Sequence, residues 1–323
     1  MKIDPFLILL IVAVILSYFL PQLAVSEKIN LDRIINIGIV LIFFFYGLKL
    51  SFAEIKQDLK NIKLHILVQL STFLLFPLII LLAKPFVFNE SGEIVWLAFM
   101  FLAALPSTVS TSVVMVNIAK GNVPAAIFNA TISGIIGIMI TPLWMGLFVS
   151  GKTANYNWGP IYMKLVLEIL APIILGLLIQ YFIPKIHEIV LKQAKKISMF
   201  DKFVILLIVY NSFAISFESK IFNSVNALNF SLIVIGSIAL FYAVYGITGF
   251  VGRKLKFNKK DSICLQFSGT KKSLLHGTVF SEVLFANTSI SMGIILLPIM
   301  IYHAFQILVI SFIASKKGQE QST

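Results

Sequence analysis

Ten runs of apolar residues, each about as long as a membrane-spanning helix, take up nearly the whole sequence. A helix needs about 20 residues to cross the hydrocarbon layer of a bilayer, and the short polar connectors leave no room for a soluble domain. Charged residues make up 12% of the chain, against about a quarter in soluble domains. We therefore predict an all-α, multi-pass membrane protein that forms one transmembrane domain over residues 1–323. The predicted spans are 5–21, 32–52, 62–84, 94–119, 123–149, 160–183, 200–217, 228–252, 260–286 and 289–314.

Polar residues interrupt two of these spans, the fourth and the ninth. Ser107-Thr-Val-Ser-Thr-Ser112 follows Pro106, and Ser268-Gly-Thr-Lys-Lys-Ser273 begins 161 residues later, which is half of the 323-residue chain. Proline removes a hydrogen bond from the preceding helical turn, and unpaired backbone groups are very costly in lipid. Breaks of this kind are tolerated beside water, ions, substrate or other protein, and matched breaks in two halves are typical of a transporter's binding site.

The two halves of the chain also share a weaker pattern. Asn129-Ala-Thr-Ile-Ser133 is similar to Asn287-Thr-Ser-Ile-Ser291, downstream of each interruption. Five spans per half is an odd number, so the second half enters the membrane from the opposite face. We therefore predict two inverted five-helix repeats, at about 1–155 and 156–316, with discontinuous helices 4 and 9.

The positive charges indicate the orientation of the chain. With ten spans, 18 of the 26 basic residues lie on the side that holds both termini, which places the termini in the cytoplasm. The net charge of +12 follows from this topology and from anionic lipid headgroups, so it requires no nucleic-acid partner. The bias toward lysine over arginine suits a bacterium, and we predict a multi-pass protein of the bacterial inner (cytoplasmic) membrane. The lone Cys264 excludes an internal disulfide framework and a cysteine-based metal cluster.

Hydroxyl and amide side chains are concentrated at and near the predicted breaks. Their oxygen atoms suit a hard cation such as sodium, for which Ser112 and Asn129 mark the candidate position, although no firm metal site is predicted. The alternative is that these groups bond to their own helices or bridge neighbouring ones. The predicted substrate- or ion-binding residues are Ser107, Thr108, Ser110, Thr111, Ser112, Asn129, Thr131, Ser133, Ser268, Thr270, Lys271, Lys272 and Ser273.

Lys271 and Lys272 lie near the middle of the ninth span and open its second half-helix. A helix N-terminus already carries partial positive charge, so two ammonium groups there require an anion, either Glu168 of the sixth span or the substrate. The alternative is an ion pair between Lys164 and Glu168, four residues apart, with one lysine extended toward the membrane surface. Ionisable residues inside a membrane usually mark a transport pathway.

Further polar residues are predicted to support the site. His276 follows Lys272 by about one turn, and His303 and Gln306 share a face of the tenth span. Such histidines either bridge helices or carry protons. Glu282, near the outer end of the ninth span, is predicted to lie at the membrane interface. The predicted supporting residues are Glu168, Gln69, His276, His303 and Gln306.

Several motifs resemble those of the bile acid:sodium symporter family, solute carrier family 10. They are most similar to its sodium/bile acid cotransporter 7 branch. The resemblance implies ten helices in two inverted repeats, with a core of spans 3–5 and 8–10 that moves against a panel of spans 1, 2, 6 and 7. The motifs are Gly47-Leu-Lys-Leu-Ser51, His65-Ile-Leu-Val-Gln69 with Phe76-Pro77, Leu105-Pro-Ser-Thr-Val-Ser110, Gly121-Asn122, Ile127-Phe-Asn-Ala130, Lys272-Ser273 and Leu297-Pro-Ile-Met-Ile-Tyr-His303.

The chain departs from sodium-coupled members of that family at both sodium positions. Those members carry a glutamate and then Gln-Asn at the break in span nine, where this chain has Phe267 and Lys271-Lys272; Val113 stands where they place asparagine. The comparison predicts that Lys272 or Lys271 takes the place of a sodium ion. It also predicts that Lys272→Ala leaves folding largely intact.

These observations predict a secondary transporter that moves an organic anion by alternating access. Two alternatives stay open. One is a cation-linked regulator of calcium entry that binds without transporting, as the eukaryotic members of the branch suggest; the other is a channel-like or scaffold protein. We find no nucleotide loop, metalloprotease pair or nucleophile elbow, and expect neither enzymatic activity nor a cofactor. The expected partners are a small-molecule substrate and the lipid bilayer.

Overall fold

The computed structural model describes residues 5–25, 30–49, 61–87, 89–108, 110–149, 163–164, 166–218, 227–285, 288 and 290–320. Every regular element within these ranges is helical. The α-helices in chain order are α1 (Pro5–Phe19), α2 (Gln22–Val25), α3 (Leu31–Lys49), α4 (Ile62–Leu70), α5 (Phe76–Ala83), α6 (Glu90–Ala104), α7 (Ser110–Ile118), α8 (Val123–Val149), α9 (Ala171–Phe182), α10 (Pro184–Lys192), α11 (Ala194–Glu218), α12 (Ala227–Lys254), α13 (Lys259–Thr270), α14 (Leu274–Phe285) and α15 (Met292–Gln319).

Two π-helical turns and one 3₁₀ turn extend this set. Ser71–Leu75 joins α4 to α5 without a break, and Val166–Leu170 leads directly into α9. Lys84–Phe86 closes α5 as a 3₁₀ turn. Each π turn is followed within three residues by a proline, Pro77 or Pro172, which has no N–H and so forces the local hydrogen bonds to shift.

Among the described residues, six helical segments are long and apolar enough to cross a membrane, and a bent pair adds a seventh. They confirm an all-helical, multi-pass membrane protein, while the count of ten and the inverted repeats stay predictions. The bent pair joins Val166–Phe182 to α10 at 112°, and α1 has 15 residues. The six segments are Leu31–Lys49, Ile62–Phe86, Val123–Val149, Ala194–Glu218, Leu228–Lys254 and Met292–Gln319.

The predicted spans leave residues 184–199 as a polar connector, and most of these residues are helical. Pro184 occupies the first turn of α10, a position where its missing N–H costs nothing. The buried Val190 of this short helix packs with Leu48 and Ile197, while its lysines are exposed. The charged residues of this amphipathic helix make its sequence resemble a polar connector, because its apolar face is narrow.

Contacts divide the chain into two compact units, each described here by itself. The first unit comprises Met1–Ser51, Ser150–Ser224 and Thr278–Leu296. In it α3 and α9 pack backbone to backbone: a Cβ added at Gly176 would overlap with the carbonyl oxygen of Phe44. Small residues that allow so close an approach are typical of helix pairs in membranes.

Within the first unit Glu282 is buried, with 7% of its surface exposed. Its carboxylate accepts a hydrogen bond of 3.4 Å from Ser212 Oγ, and nearby Ser216 Oγ is 2.8 Å from Ser291 Oγ. Glu282 is therefore covered by protein, while its predicted position near the membrane interface stays a prediction. Ser212 and Ser216, one helical turn apart on α11, give this helix a polar face near Glu282. The apolar sequence around Glu282 does not indicate these partners.

The second unit comprises Phe52–Val149, Val225–Gly277 and Leu297–Thr323. At one end of it the buried carboxylate of Asp261 accepts hydrogen bonds from three asparagine amides: Asn61 at 3.0 Å, Asn122 at 2.7 Å and Asn258 at 2.7 Å. The side-chain oxygen of each asparagine also accepts a backbone N–H in the first turn of α4, α8 or α13, which is an N-cap. Asp261 thus joins the starts of three helices.

Candidate functional site

Both interruptions predicted from the sequence are present, and they contact each other within the second unit. Helix α6 ends at Ala104 and α7 begins at Ser110, while α13 ends at Thr270 and α14 begins at Leu274. Ser107 Oγ donates a hydrogen bond of 2.9 Å to the carbonyl oxygen of Ser268. In return, the backbone N–H of Ser273 donates one of 2.9 Å to the carbonyl oxygen of Pro106. The two non-helical segments therefore satisfy part of each other's backbone.

Side chains from neighbouring helices pair the carbonyl groups at the end of α13. Ser71 Oγ donates to the oxygen of Gly269 at 2.8 Å, and Tyr302 Oη donates to that of Thr270 at 2.6 Å. Buried polar backbone groups are costly when unpaired. These contacts pair two carbonyl groups that the end of α13 leaves without a partner in the helix.

Gln306 clamps the next residue of the break by both of its backbone groups. Its Oε1 accepts the N–H of Lys272 at 2.9 Å, and its Nε2 donates to the carbonyl oxygen of Lys272 at 2.8 Å. The same Nε2 lies 3.0 Å from His303 Nδ1. Gln306 thus contacts both Lys272 and His303.

The ammonium group of Lys272 is fully buried and fully paired. Its Nζ donates to the carbonyl oxygens of Thr72 at 2.7 Å, Ala103 at 2.6 Å and Leu105 at 2.7 Å. It also lies 4.1 Å from the centre of the Phe76 ring, a distance at which a cation is attracted to the aromatic face. Three oxygens and one π face surround the nitrogen as they would a small bound cation.

The sequence explains why these three carbonyls are free to accept. Ala103 and Leu105 lie at the C-terminal end of α6, where carbonyl groups have no intrahelical partner and the helix dipole is negative. Thr72 lies in the π turn, and the residue five positions on is Pro77, which has no N–H. The carbonyl of Phe73, four positions before Pro77, is taken by Trp144 Nε1 at 2.9 Å.

This arrangement argues against the expectation that Lys272→Ala leaves folding largely intact. Removal of the ammonium group would leave the carbonyl oxygens of Thr72, Ala103 and Leu105 without their donor in a buried place. The sequence showed that Lys272 is a buried charge. It could not show that the charge is held by backbone from two other helical segments.

Lys271 differs from its neighbour, although both side chains have 0% exposure. Its Nζ has no hydrogen-bond acceptor, and no ion pair to it is found within the described part of the chain. Lys271 is the C-cap of α13 and has an extended backbone, with φ −85° and ψ 146°. The break thus carries one buried lysine nitrogen with three hydrogen-bond acceptors and one with none among the described residues.

The predicted hydroxyl cluster at the first break makes contacts within the protein. Thr108 Oγ1 lies 2.8 Å from Thr111 Oγ1 and 3.2 Å from Ser112 Oγ, so these three side chains form one network. Ser133 Oγ instead accepts the backbone N–H of Ser107 at 2.9 Å, which favours the helix-bridging role. The side chain of Ser110 lies outside the described residues, as does Asn287 of the sequence pattern, and Thr131 is buried.

The predicted hydroxyls of the second break are also engaged locally. Thr270 Oγ1 donates to the carbonyl oxygen of Gln266, and Ser268 Oγ lies 3.8 Å from Cys264 Sγ. Ser273 Oγ lies 2.9 Å from His276 Nδ1. These contacts stay within α13 or the first turn of α14, so they stabilise the ends of the break.

Asn129 belongs to a separate network on α4 and α8. Gln69 Nε2 donates to both the backbone oxygen and Oδ1 of Asn129, at 3.1 and 3.3 Å. Asn129 Nδ2 in turn donates to His65 Nδ1 at 2.9 Å. The sequence-based site omitted His65, although its position four residues before Gln69 puts both on one helix face. No described hydrogen bond links Asn129 to Ser112, the other candidate sodium ligand.

Glu168 lies in the first unit, in the π turn before α9. Its Oε2 is 3.9 Å from Lys164 Nζ, which matches the local ion pair that the sequence left open. This pairing gives Glu168 a local partner, four residues away in sequence.

A multi-pass helical protein in which two interrupted helices meet inside one compact unit has the construction of a secondary transporter. The chain matches the SBF-like CPA transporter family over residues 4–318, and it belongs to this family. The resemblance to the bile acid:sodium symporters is thereby confirmed, and the protein is a transmembrane transporter of that group.

Relatives named as symporters and cotransporters match most of the chain. An uncharacterised protein of Pseudomonas aeruginosa is 32% identical over 318 residues, which cover 98% of this chain and 94% of that protein. "Putative symporter YfeH" of Escherichia coli is 33% identical over 314 residues, covering 97% and 92%. "Sodium/bile acid cotransporter 7-B" of Xenopus laevis is 28% identical over 277 residues, covering 84% and 78%.

Proposed function

We propose that this protein is a secondary transporter that moves an organic anion across the bacterial inner membrane by alternating access. Bacterial relatives of nearly full length support the location, and the name of the Escherichia coli relative supports transport. The break at Lys271 and Lys272 is the observation that supports a negatively charged substrate. It places two ammonium groups in a fully buried segment where the described residues supply no carboxylate partner.

We further propose that Lys272 replaces a coupling sodium ion at this break. Three carbonyl oxygens at 2.6–2.7 Å already surround its nitrogen, and sodium would have to compete for the same hard ligands. Two like charges 4 Å apart repel each other by about 4 kcal/mol at an effective dielectric constant near 20. A second cation therefore does not share this cage.

At the second candidate sodium position, the side chains that could bind a metal ion are already hydrogen-bonded within the protein. The amide of Asn129 is committed to Gln69, His65 and the carbonyl of Ala125, while Ser112 bonds to Thr108. Sodium binding there would require both networks to open. These contacts support a transport cycle without sodium at either break.

The inverted repeats, the cytoplasmic termini and the panel-and-core mechanism are part of the same proposal. The contact between Ser107 and Ser268, at equivalent positions of the two halves, supports an inverted pair of repeats. The distribution of lysines supports cytoplasmic termini. Residues 1–51 and 150–224, which hold spans 1, 2, 6 and 7, fall in one compact unit, as a panel of these spans requires. Thr278–Leu296, from spans 9 and 10 of the predicted core, fall in the same unit, so the division follows panel and core only in part.

Transport assays on purified protein in proteoliposomes test the proposal. Benzoate, succinate and benzenesulfonate represent organic anions, and benzylammonium of similar size represents cations. We expect uptake of at least one anion, at equal rates with sodium or potassium outside. Uptake of benzylammonium alone would contradict the proposal and favour the cation-linked alternative. Equal leak of anions and cations would favour a channel. Lys192→Ala, which changes an exposed lysine of α10, is the matched control.

A further inference from the structure

Two adjacent buried lysines occupy the same break, but only one of them has acceptors for its protons. We infer that Lys271, and not Lys272, is the side chain that pairs with the acidic group of the transported anion. This inference rests on the proposed transport of an anion and assigns the two lysines different roles. Lys272 is a fixed part of the protein, whereas Lys271 is the exchangeable contact.

The backbone separates the two side chains. Lys271 has φ −85° and ψ 146°, and in an extended chain successive side chains point to opposite sides. The side chain of Lys272 extends to the end of α6 and to the π turn before α5, where it reaches Thr72, Ala103 and Leu105. Lys271 Nζ makes none of the hydrogen bonds of that cage.

Five backbone groups at the break are already paired within the protein. The carbonyl oxygens of Ser268, Gly269 and Thr270 accept from hydroxyl groups, and both backbone groups of Lys272 are held by Gln306. Lys271 Nζ differs from them, because it is fully buried and lacks an acceptor among the described residues. An unpaired buried charge is strongly unfavourable. Pairing with an anion from outside the protein would therefore remove this free-energy cost.

The chemistry of a partner for Lys271 follows from the hydrogen-bond acceptors that its Nζ lacks. An ammonium group has three donors and no acceptor, and its strongest hydrogen bonds are short ones to ionised oxygens. Helix α14 begins three residues later, at Leu274, and its N-terminal dipole also favours negative charge. A carboxylate or sulfonate fits both features. The same chemistry occurs in anionic lipid headgroups, which the experiments below must separate from a soluble substrate.

Thermal unfolding of the substrate-free protein tests the two roles without knowledge of the substrate. Methionine matches the length of the lysine stem and carries no charge. Lys272→Met should lower the unfolding midpoint by roughly 10 °C, because three buried carbonyls lose their donor. Lys271→Met should leave the midpoint unchanged or raise it, since it removes an unpaired charge. Lys192→Met is the exposed control. If Lys271→Met destabilises the protein as much as Lys272→Met does, Lys271 has a partner within the protein and the inference is wrong.

Anion uptake into vesicles of pure phosphatidylcholine, which has no net negative charge, tests the ligand. With benzoate, succinate and benzenesulfonate as probes, Lys271→Met should reduce uptake at least tenfold, and Lys271→Arg should retain part of it. Undiminished uptake in Lys271→Met would overturn the inference and leave the proposed function intact. Wild-type uptake of benzylammonium alone would overturn the proposed function itself. If Lys271 instead binds a lipid headgroup, adding phosphatidylglycerol should raise the midpoint of the wild type and not that of Lys271→Met, which would also overturn the assignment to substrate.

Discussion

Lys272 Nζ donates a hydrogen bond of 2.7 Å to the carbonyl oxygen of Leu105, so a side chain from one interrupted helix caps the end of the other. The cap lies where the dipole of α6 is negative. It joins two parts of the chain that are 167 residues apart in sequence. The stability of each break therefore depends on the other one.

A chemical rescue experiment should identify Lys272 as a tethered cation. Lys272→Ala removes the ammonium and leaves a cavity lined by three carbonyl oxygens, so we expect a loss of about 3–5 kcal/mol of stability. Methylammonium, which restores the missing group, should recover part of the unfolding midpoint of this variant and leave the wild type unchanged. Thermal unfolding followed by tryptophan fluorescence provides the measurement, with tetramethylammonium as the control because it has no donor. Equal effects of both cations would argue against the cage.

Sodium should not stabilise the wild-type protein. We expect the same unfolding midpoint in sodium and in potassium chloride at equal ionic strength, because in the proposed function Lys272 takes one sodium position, and the amide of Asn129 is already bonded at the other. A sodium-specific rise would contradict this prediction. A loss of that rise in Ser112→Ala would then locate the ion.

The contact between α3 and α9 should tolerate no added methyl group. Gly176→Ala places a Cβ against the backbone of α3, 2.8 Å from Leu48 N, and we expect it to cost about 1–3 kcal/mol or more through overpacking. Gly246→Ala is the matched control in α12, since a Cβ there meets nothing within 4 Å. That change should be neutral, or stabilising by up to about 1 kcal/mol. Equal midpoints for both variants would show that α3 and α9 are less closely packed than described.

Asp261→Asn should loosen the starts of three helices at once. The neutral amide cannot accept from three asparagines as a carboxylate does, and hydrogen bonds to a charged group are worth about 1.5–3 kcal/mol each. We expect a lower unfolding midpoint and faster proteolysis near Asn61 and Asn122. Glu188→Gln, at an exposed position of α10, controls for loss of a negative charge. Unchanged proteolysis would mean that the N-caps hold these helices without Asp261.

The sequence predicted the positions of both breaks because their signal is local. Pro106, and polar residues within an apolar span, mark a helix interruption wherever they occur. The burial of Lys271 and Lys272 followed from the same reasoning. The family also followed from short motifs spread along nearly the whole chain.

The partners of the buried groups could not be predicted, because they depend on contacts between distant segments. Nothing local indicates that Pro77 frees the carbonyl of Thr72 for a lysine 200 residues away. His65, Asp261 and the burial of Glu282 were missed for the same reason. The extent of α10 was missed because its apolar face is narrow. The periodicity of apolar residues and the composition indicate which residues are buried, but they do not indicate which buried residues contact each other.

The attachment of the Lys272 ammonium to the chain has a thermodynamic consequence. An ion that binds from solution on one side and leaves on the other contributes the free energy of its gradient to each cycle. A cation held by four methylene groups is never released, so its occupancy is the same at every salt concentration. It can shape the site and attract an anion, but it cannot perform work. Any uphill transport by this protein must draw its driving force from a different ion or from the gradient of an exchanged solute.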